Sequence, residues 1–273
     1  MNLYRLRSAP MRIPGIPAVG PLPPLADTWR RSFVELLGTF ALVFIGAGTI
    51  MSVGPQADAG TLEVALAHGL VIAVMVSAVA HISGGHFNPA ITFGFLLTRR
   101  ISVLLGLVYV VVQLAGAVLA ALLLQWIFPT ATTDAANLGA PSVQGIEIGA
   151  ALVVEAMLTF FLVFVVFAMV ADPRSTYSAI AGLAIGLVIV FDILFGYSLT
   201  GAMMNPARAF GPELVSGSWD DFWIYYVGPL AGGAIAALLY DELYLRSREP
   251  VVPVGPAETG VEEPGPGLAA RDN

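Results

Sequence analysis

The chain has no lysine and no cysteine, and only three histidines, in 273 residues. Without cysteine there is no disulfide framework and no thiol chemistry. Three histidines and no HExxH make no metal-ligand set, so neither a metal nor a cofactor is expected and an enzymatic role is disfavoured. Charge is scarce too: 11% of residues are charged, against roughly a quarter in an ordinary soluble domain. There is no basic patch to suggest a nucleic-acid partner, and the net charge of −7 comes mostly from the C-terminal segment and scattered turns.

What the chain has is apolar surface, with 57% hydrophobic residues and a mean hydropathy of +0.83. The apolar residues form blocks near 33–53, 64–83, 102–128, 148–171, 178–197 and 222–240. Most reach the roughly 17–25 residues that a helix needs to cross a bilayer. Lipid offers no partner to backbone groups, so each block must be helical. Eleven of the twelve arginines fall in the N-terminal segment, the 97–101 turn, the 171–177 turn and the C-terminal segment. Six spans place all four on one side, which the positive-inside rule makes cytoplasmic. Both termini are therefore expected in the cytoplasm, with the protein in the inner or plasma membrane. The proline- and glycine-rich N-terminal stretch lacks the unbroken apolar core of a signal peptide. Only Arg208 escapes the rule, and an arginine in an apolar setting usually has a function.

The sequence repeats itself. FVELLGTFALVFIGAG at 33–48 matches VVEAMLTFFLVFVVFA at 153–168, each with Glu, then Thr four residues on, then Phe (Glu35, Thr39, Phe40; Glu155, Thr159, Phe160). HFNPAITFG at 86–94 matches MNPARAFG at 204–211, with Asn88 and Asn205 lying 117 residues apart. Three spans per copy is an odd number, so the second copy must be inverted. Small residues in 182-GLAIG-186 and 228-GPLAG-232 suit close helix packing. The expected fold is an all-α polytopic membrane protein of six transmembrane helices and two re-entrant half-helices in two inverted repeats. Its segments are an arm at 1–31, a first repeat at 32–128 with its half-helix at 88–97, and an extracytoplasmic connection at 129–147. A second repeat at 148–245 follows, with its half-helix at 205–214, and then a tail at 246–273; arm and tail are expected to be disordered.

Asn is a favoured N-cap and Pro a favoured first helical residue. Asn88-Pro89-Ala90 and Asn205-Pro206-Ala207 thus start two short helices of about half the bilayer thickness, roughly 15 Å. Capping uses the amide oxygen and leaves each NH₂ free to face the space between. The irregular backbone ahead of the caps is tolerated only along a watery cavity or within protein. Two facing helix starts carry roughly +0.5 charge each. At about 4 Å and an effective dielectric near 20 that disfavours a cation by about 4 kcal/mol. Water is not opposed, and accepting from both asparagines orients it so as to interrupt a proton chain.

Two NPA boxes in inverted halves, SGGHFNPA and NPAR at 205–208, resemble the aquaporin (major intrinsic protein) family over about residues 32–245. The resemblance implies a pore through each subunit, a homotetramer in the lipid bilayer, and water with small neutral solutes as cargo. It places a selectivity filter at His68, Ile193, Ala202 and Arg208, and pore-facing carbonyls at Gly84, Gly85, His86, Phe87, Gly201 and Met203. Ile193 and Ala202 should make a wider, partly apolar ring, similar to that of plant vacuolar-membrane members, some of which pass ammonia, urea or hydrogen peroxide. A glycerol facilitator is the alternative; Ala209 in place of Asp, and Tyr225 and Tyr226 in place of Pro, favour the water branch. Glu213 departs from the small residue usual there.

Blander readings stand beside these. Arg208 could be a buried ion-pair partner, and His68 could face a neighbouring helix. His86 reads as a brace for its loop, His81 as a packing or gating residue. Glu35 and Glu155 read as structural buried acids that hold loop amides. Asp192 is expected to hydrogen-bond the following loop. An ion-coupled transporter also uses inverted repeats and broken helices, but needs ionisable groups at the breaks; Asn occupies both.

Overall fold

The computed structural model describes residues 25–54, 60–176 and 178–246. Among these residues nine α-helices run in the order α1 (Leu25–Val53), α2 (Thr61–Ser83), α3 (Pro89–Leu97), α4 (Val103–Ile127), α5 (Thr130–Ala135), α6 (Ile148–Val166), α7 (Ala181–Thr200), α8 (Pro206–Ser216) and α9 (Ile224–Tyr240). Strands are absent among the described residues. Among the described residues six helices are long and apolar enough to cross a membrane: α1, α2, α4, α6, α7 and α9. Two of them end in a π-turn, α6 through Phe167–Ala171 and α9 through Asp241–Leu245.

The first helix begins at Leu25, seven residues before the expected boundary at 32. Hydropathy marks only the apolar stretch, whereas the helix continues beyond it through a polar turn. There Asp27 sits in the first turn and pairs with Arg31 at i+4, 2.7 Å away, a spacing that adds modestly to helix stability. The rest of the 1–31 arm and the 246–273 tail, except Arg246, lie outside the described residues. The 129–147 connection holds a short helix, α5, and a 3₁₀ turn at Asn137–Gly139.

Glycines let the long helices touch in matched pairs. A Cβ at Gly69 on α2 would strike the carbonyl of Gly186 on α7, and one at Gly186 would strike that of Gly69. Likewise Gly116 on α4 faces the Leu36 carbonyl of α1, and Gly232 on α9 faces the Ala156 carbonyl of α6. Leu36 and Ala156 each follow the repeated glutamate. The short helices cross over: Gly94 of α3 meets Ala237 of α9, and Gly211 of α8 meets Ala117 of α4. Each half-helix is thus wedged against the last span of the other half.

Candidate functional site: a narrow cavity between two helix starts

Both half-helices begin as their residues dictate. Asn88 Oδ1 accepts from Ala90 N at 2.8 Å, with Pro89 at N1. Asn205 Oδ1 accepts from Ala207 N at 3.0 Å and Arg208 N at 3.2 Å, with Pro206 at N1. Neither amide nitrogen is wholly free, contrary to expectation. Asn88 Nδ2 donates to Met204 O and Asn205 Nδ2 to Phe87 O, each at 2.9 Å. One amide hydrogen thus ties each cap to the opposite loop, and a primary amide keeps a second for the cavity.

The loops ahead of the caps share an unusual backbone. Phe87 (φ 48°), Ala202 (φ 49°) and Met204 (φ 53°) occupy the left-handed region, which costs a residue with a side chain roughly 1–2 kcal/mol. The glutamates hold that strain. Glu35 Oε1 accepts from Ser83 Oγ (2.7 Å) and His86 N (2.9 Å), and Oε2 from Phe87 N (2.7 Å) and Gln113 Nε2 (2.9 Å). Glu155 Oε1 accepts from Thr200 Oγ1 (2.6 Å) and Met203 N (3.0 Å), and Oε2 from Met204 N (2.9 Å). With their N–H groups engaged behind the wall, these residues are free to turn other backbone groups to the cavity. Both acids are fully buried, and a buried carboxylate persists only with such donors.

The four proposed filter residues come together. His68, Ile193, Ala202 and Arg208 line a narrow cavity of about 30 Å³, which also reaches Asn88 and Asn205. Gly85, His86, Phe87 and Met203 line it as well. A water needs about 10–15 Å³ of such space, so the passage admits water a molecule or two at a time. Leu42, Ile72, Ile185 and Ile189 make its remaining walls largely apolar. Beside it opens a vestibule of about 440 Å³ bordered by residues 135–137 and 139–142, Tyr197 and Gly201.

Two expected wall residues lie elsewhere. Gly84 and Gly201 are not on the narrow cavity; they cap α2 and α7 at φ 98° and 84° and turn the chain inward. Gly201 borders the vestibule instead. Pro89, Ala90, Pro206 and Ala207 are buried in the first turns behind the lining.

Arg208 Nε donates to His68 Nε2 at 3.2 Å, and its Nη1 donates to Gly139 O at 2.9 Å. His68 Nδ1 lies 2.8 Å from Val64 O. A carbonyl only accepts, so Nδ1 carries the hydrogen and Nε2 offers its lone pair to the arginine. Arg208 Nη2 is buried with no partner among the described residues, leaving donors for a guest molecule in the cavity. Gly46 of α1 makes room for the histidine, since a Cβ there would overlap the His68 ring.

His86 braces its loop as expected: its Nδ1 lies 3.1 Å from Thr92 Oγ1. His81 is exposed on α2, away from the cavity. Asp192 corrects the expectation. It is buried, and neither carboxylate oxygen has a hydrogen-bond partner, in the following loop or elsewhere among the described residues. Sequence reasoning missed Gly139, Gln113, Ser83, Thr200 and Tyr109, whose hydroxyl donates to Ser83 O at 2.8 Å. Ser83 and Thr200 could have been found as a pair, because each precedes its Asn-Pro by five residues.

Comparison with known proteins agrees with this geometry. A family model described as Major intrinsic protein matches residues 25–240. The chain belongs to the major intrinsic protein family. It is 45% identical over 225 residues to "Aquaporin TIP4-4" of Zea mays, covering 79% of this chain and 87% of the relative. To "Probable aquaporin TIP3-2" of Arabidopsis thaliana it is 43% identical, covering 81% and 86%. Among solved structures, the aquaglyceroporin from Plasmodium falciparum superposes with a TM-score of 0.73 at 23% identity, over 79% of this chain and 96% of that one. That likeness speaks to the fold.

Proposed function

We propose that this member of the family is a passive channel for water that excludes protons and ions, and that its wider filter also passes ammonia, urea or hydrogen peroxide. The observation that carries it is the pair Asn88 and Asn205, capping two converging helices and bonded across to each other's loops at 2.9 Å. Their positive ends, with Arg208 above them, oppose a cation inside a passage too narrow for a hydrated one. Water meets amide and guanidinium donors on one side and apolar wall on the other, so it is oriented without being trapped. Ile193 and Ala202 opposite Arg208 support passage of small polar solutes beyond water.

The finer assignments rest on the same features. The two copies form inverted repeats, with 88–97 and 205–214 as their half-helical cores. The site comprises both NPA boxes, the four filter residues and the two bracing acids. Arginines at the 97–101 and 171–177 turns and the C-terminal segment favour cytoplasmic termini and an inner or plasma membrane. Apolar outer faces, such as Leu62, Leu66, Leu70 and Val74 on α2, suit lipid and a homotetramer. The test is reconstitution: vesicles with the protein should shrink faster in hyperosmotic sucrose than empty ones, with no rise in conductance. Equal shrinkage refutes the channel.

A further inference from the structure

A pore that repels cations with two helix starts and an arginine carries the opposite hazard. Converging helix N-termini attract anions, and Arg208 forms no ion pair with a carboxylate among the described residues. Glu213 stands five residues beyond Arg208 on α8, about 7.5 Å farther along the helix axis. It is 1% exposed, and its Oε2 accepts from Tyr226 Oη at 2.7 Å while Oε1 is buried with no partner.

This placement is poor for stability on two counts. A carboxylate in the last turn of a helix opposes the macrodipole, which favours bases there. A half-satisfied buried acid is costly as well. An apolar or small side chain at 213 would avoid both costs. What Glu213 contributes in return is a negative charge that interacts electrostatically with Arg208 from outside the cavity lining.

Resting on the channel reading above, we propose that Glu213 is a specificity-determining residue that offsets the charge of Arg208 and keeps the filter closed to anions. Tyr226 holds the carboxylate in place, and α8 fixes its separation from the guanidinium. Solutes never touch Glu213; it acts through the potential they meet at Arg208.

Glu213→Gln removes the charge but keeps size and an acceptor for Tyr226. Glu213→Asp keeps the charge and shortens the side chain by one methylene. Vesicles carrying each protein are measured for water permeability and for chloride conductance under a KCl gradient. Glu213→Gln should raise chloride permeability by about threefold to tenfold over the wild type, with water permeability retained. Glu213→Asp should leave chloride excluded. A Glu213→Gln channel as tight to chloride as the wild type overturns the proposal, and so does an equal leak in Glu213→Asp, which would make the side chain a mechanical pin. Absence of water permeability in the wild type instead defeats the channel reading.

Discussion

Arg208 Nε points at His68 Nε2 from 3.2 Å, and the bond from His68 Nδ1 to Val64 O fixes the imidazole as the acceptor. A basic side chain on α8 and a histidine on α2, 140 residues apart, therefore form one joined edge of the narrow cavity. Gly139 O supplies the guanidinium's other fixed contact.

Replacing Arg208 by Val removes that edge and its charge. Urea and ammonia permeability should rise severalfold while water still passes. Stopped-flow swelling in each solute is the check, and an unchanged solute profile would show that the filter lies elsewhere.

Gly46→Ala should lower water permeability per channel, because the new methyl occupies the seat of the His68 ring and must push it out of line. Gly149→Ala is the control, having open space at its Cβ. Comparing the two at equal protein per vesicle separates a filter effect from a general one.

Glu35→Ala strands three donors, Ser83 Oγ and the amides of His86 and Phe87, and leaves Gln113 Nε2 with Thr92 Oγ1 alone. Leaving buried donors unpaired costs about 1–3 kcal/mol each, so the variant should lose at least about 3 kcal/mol of stability. Thermal unfolding in detergent measures it. A melting temperature within error of the wild type would mean the loop does not depend on the acid.

Just beyond the end of α6, hydrogen bonding to Arg174 holds the Asp172 carboxyl down at about 2, helped by Tyr240 and opposed by burial. A carboxyl depressed in the folded state stabilises above its unfolded value of about 3.9 and loses that contribution as pH falls through the folded one. The stability gap between wild type and Asp172→Asn should hold steady from neutral pH to about 5. It should close between about pH 4 and 2. Thermal unfolding across pH tests this; a gap that closes near neutrality would place the clasp on another group.

Much of the site could be read from local residue types. Asn followed by Pro suits a cap and a first helical residue, and its recurrence in both halves gave the conformation of Asn88 and Asn205 away. The doubled Glu-Thr-Phe pattern marked Glu35 and Glu155 as a related pair. What escaped depends on partners brought from afar. Gly139 O lies in a connection with no motif, and Gln113 reaches Glu35 from 78 residues away. The cross-bonds of the two amides were missed because sequence shows a donor but not which carbonyl folding will present to it. The start of α1 was missed because a polar turn can be helical while looking like a tail. Asp192 has no structural account.

The central claim is that water passes between the two asparagine-capped helix starts. The temperature dependence of osmotic shrinkage in reconstituted vesicles tests it most directly. A water-filled passage predicts shrinkage that is faster than in bare lipid and changes less with temperature. A rate and temperature slope equal to those of the empty bilayer would contradict it.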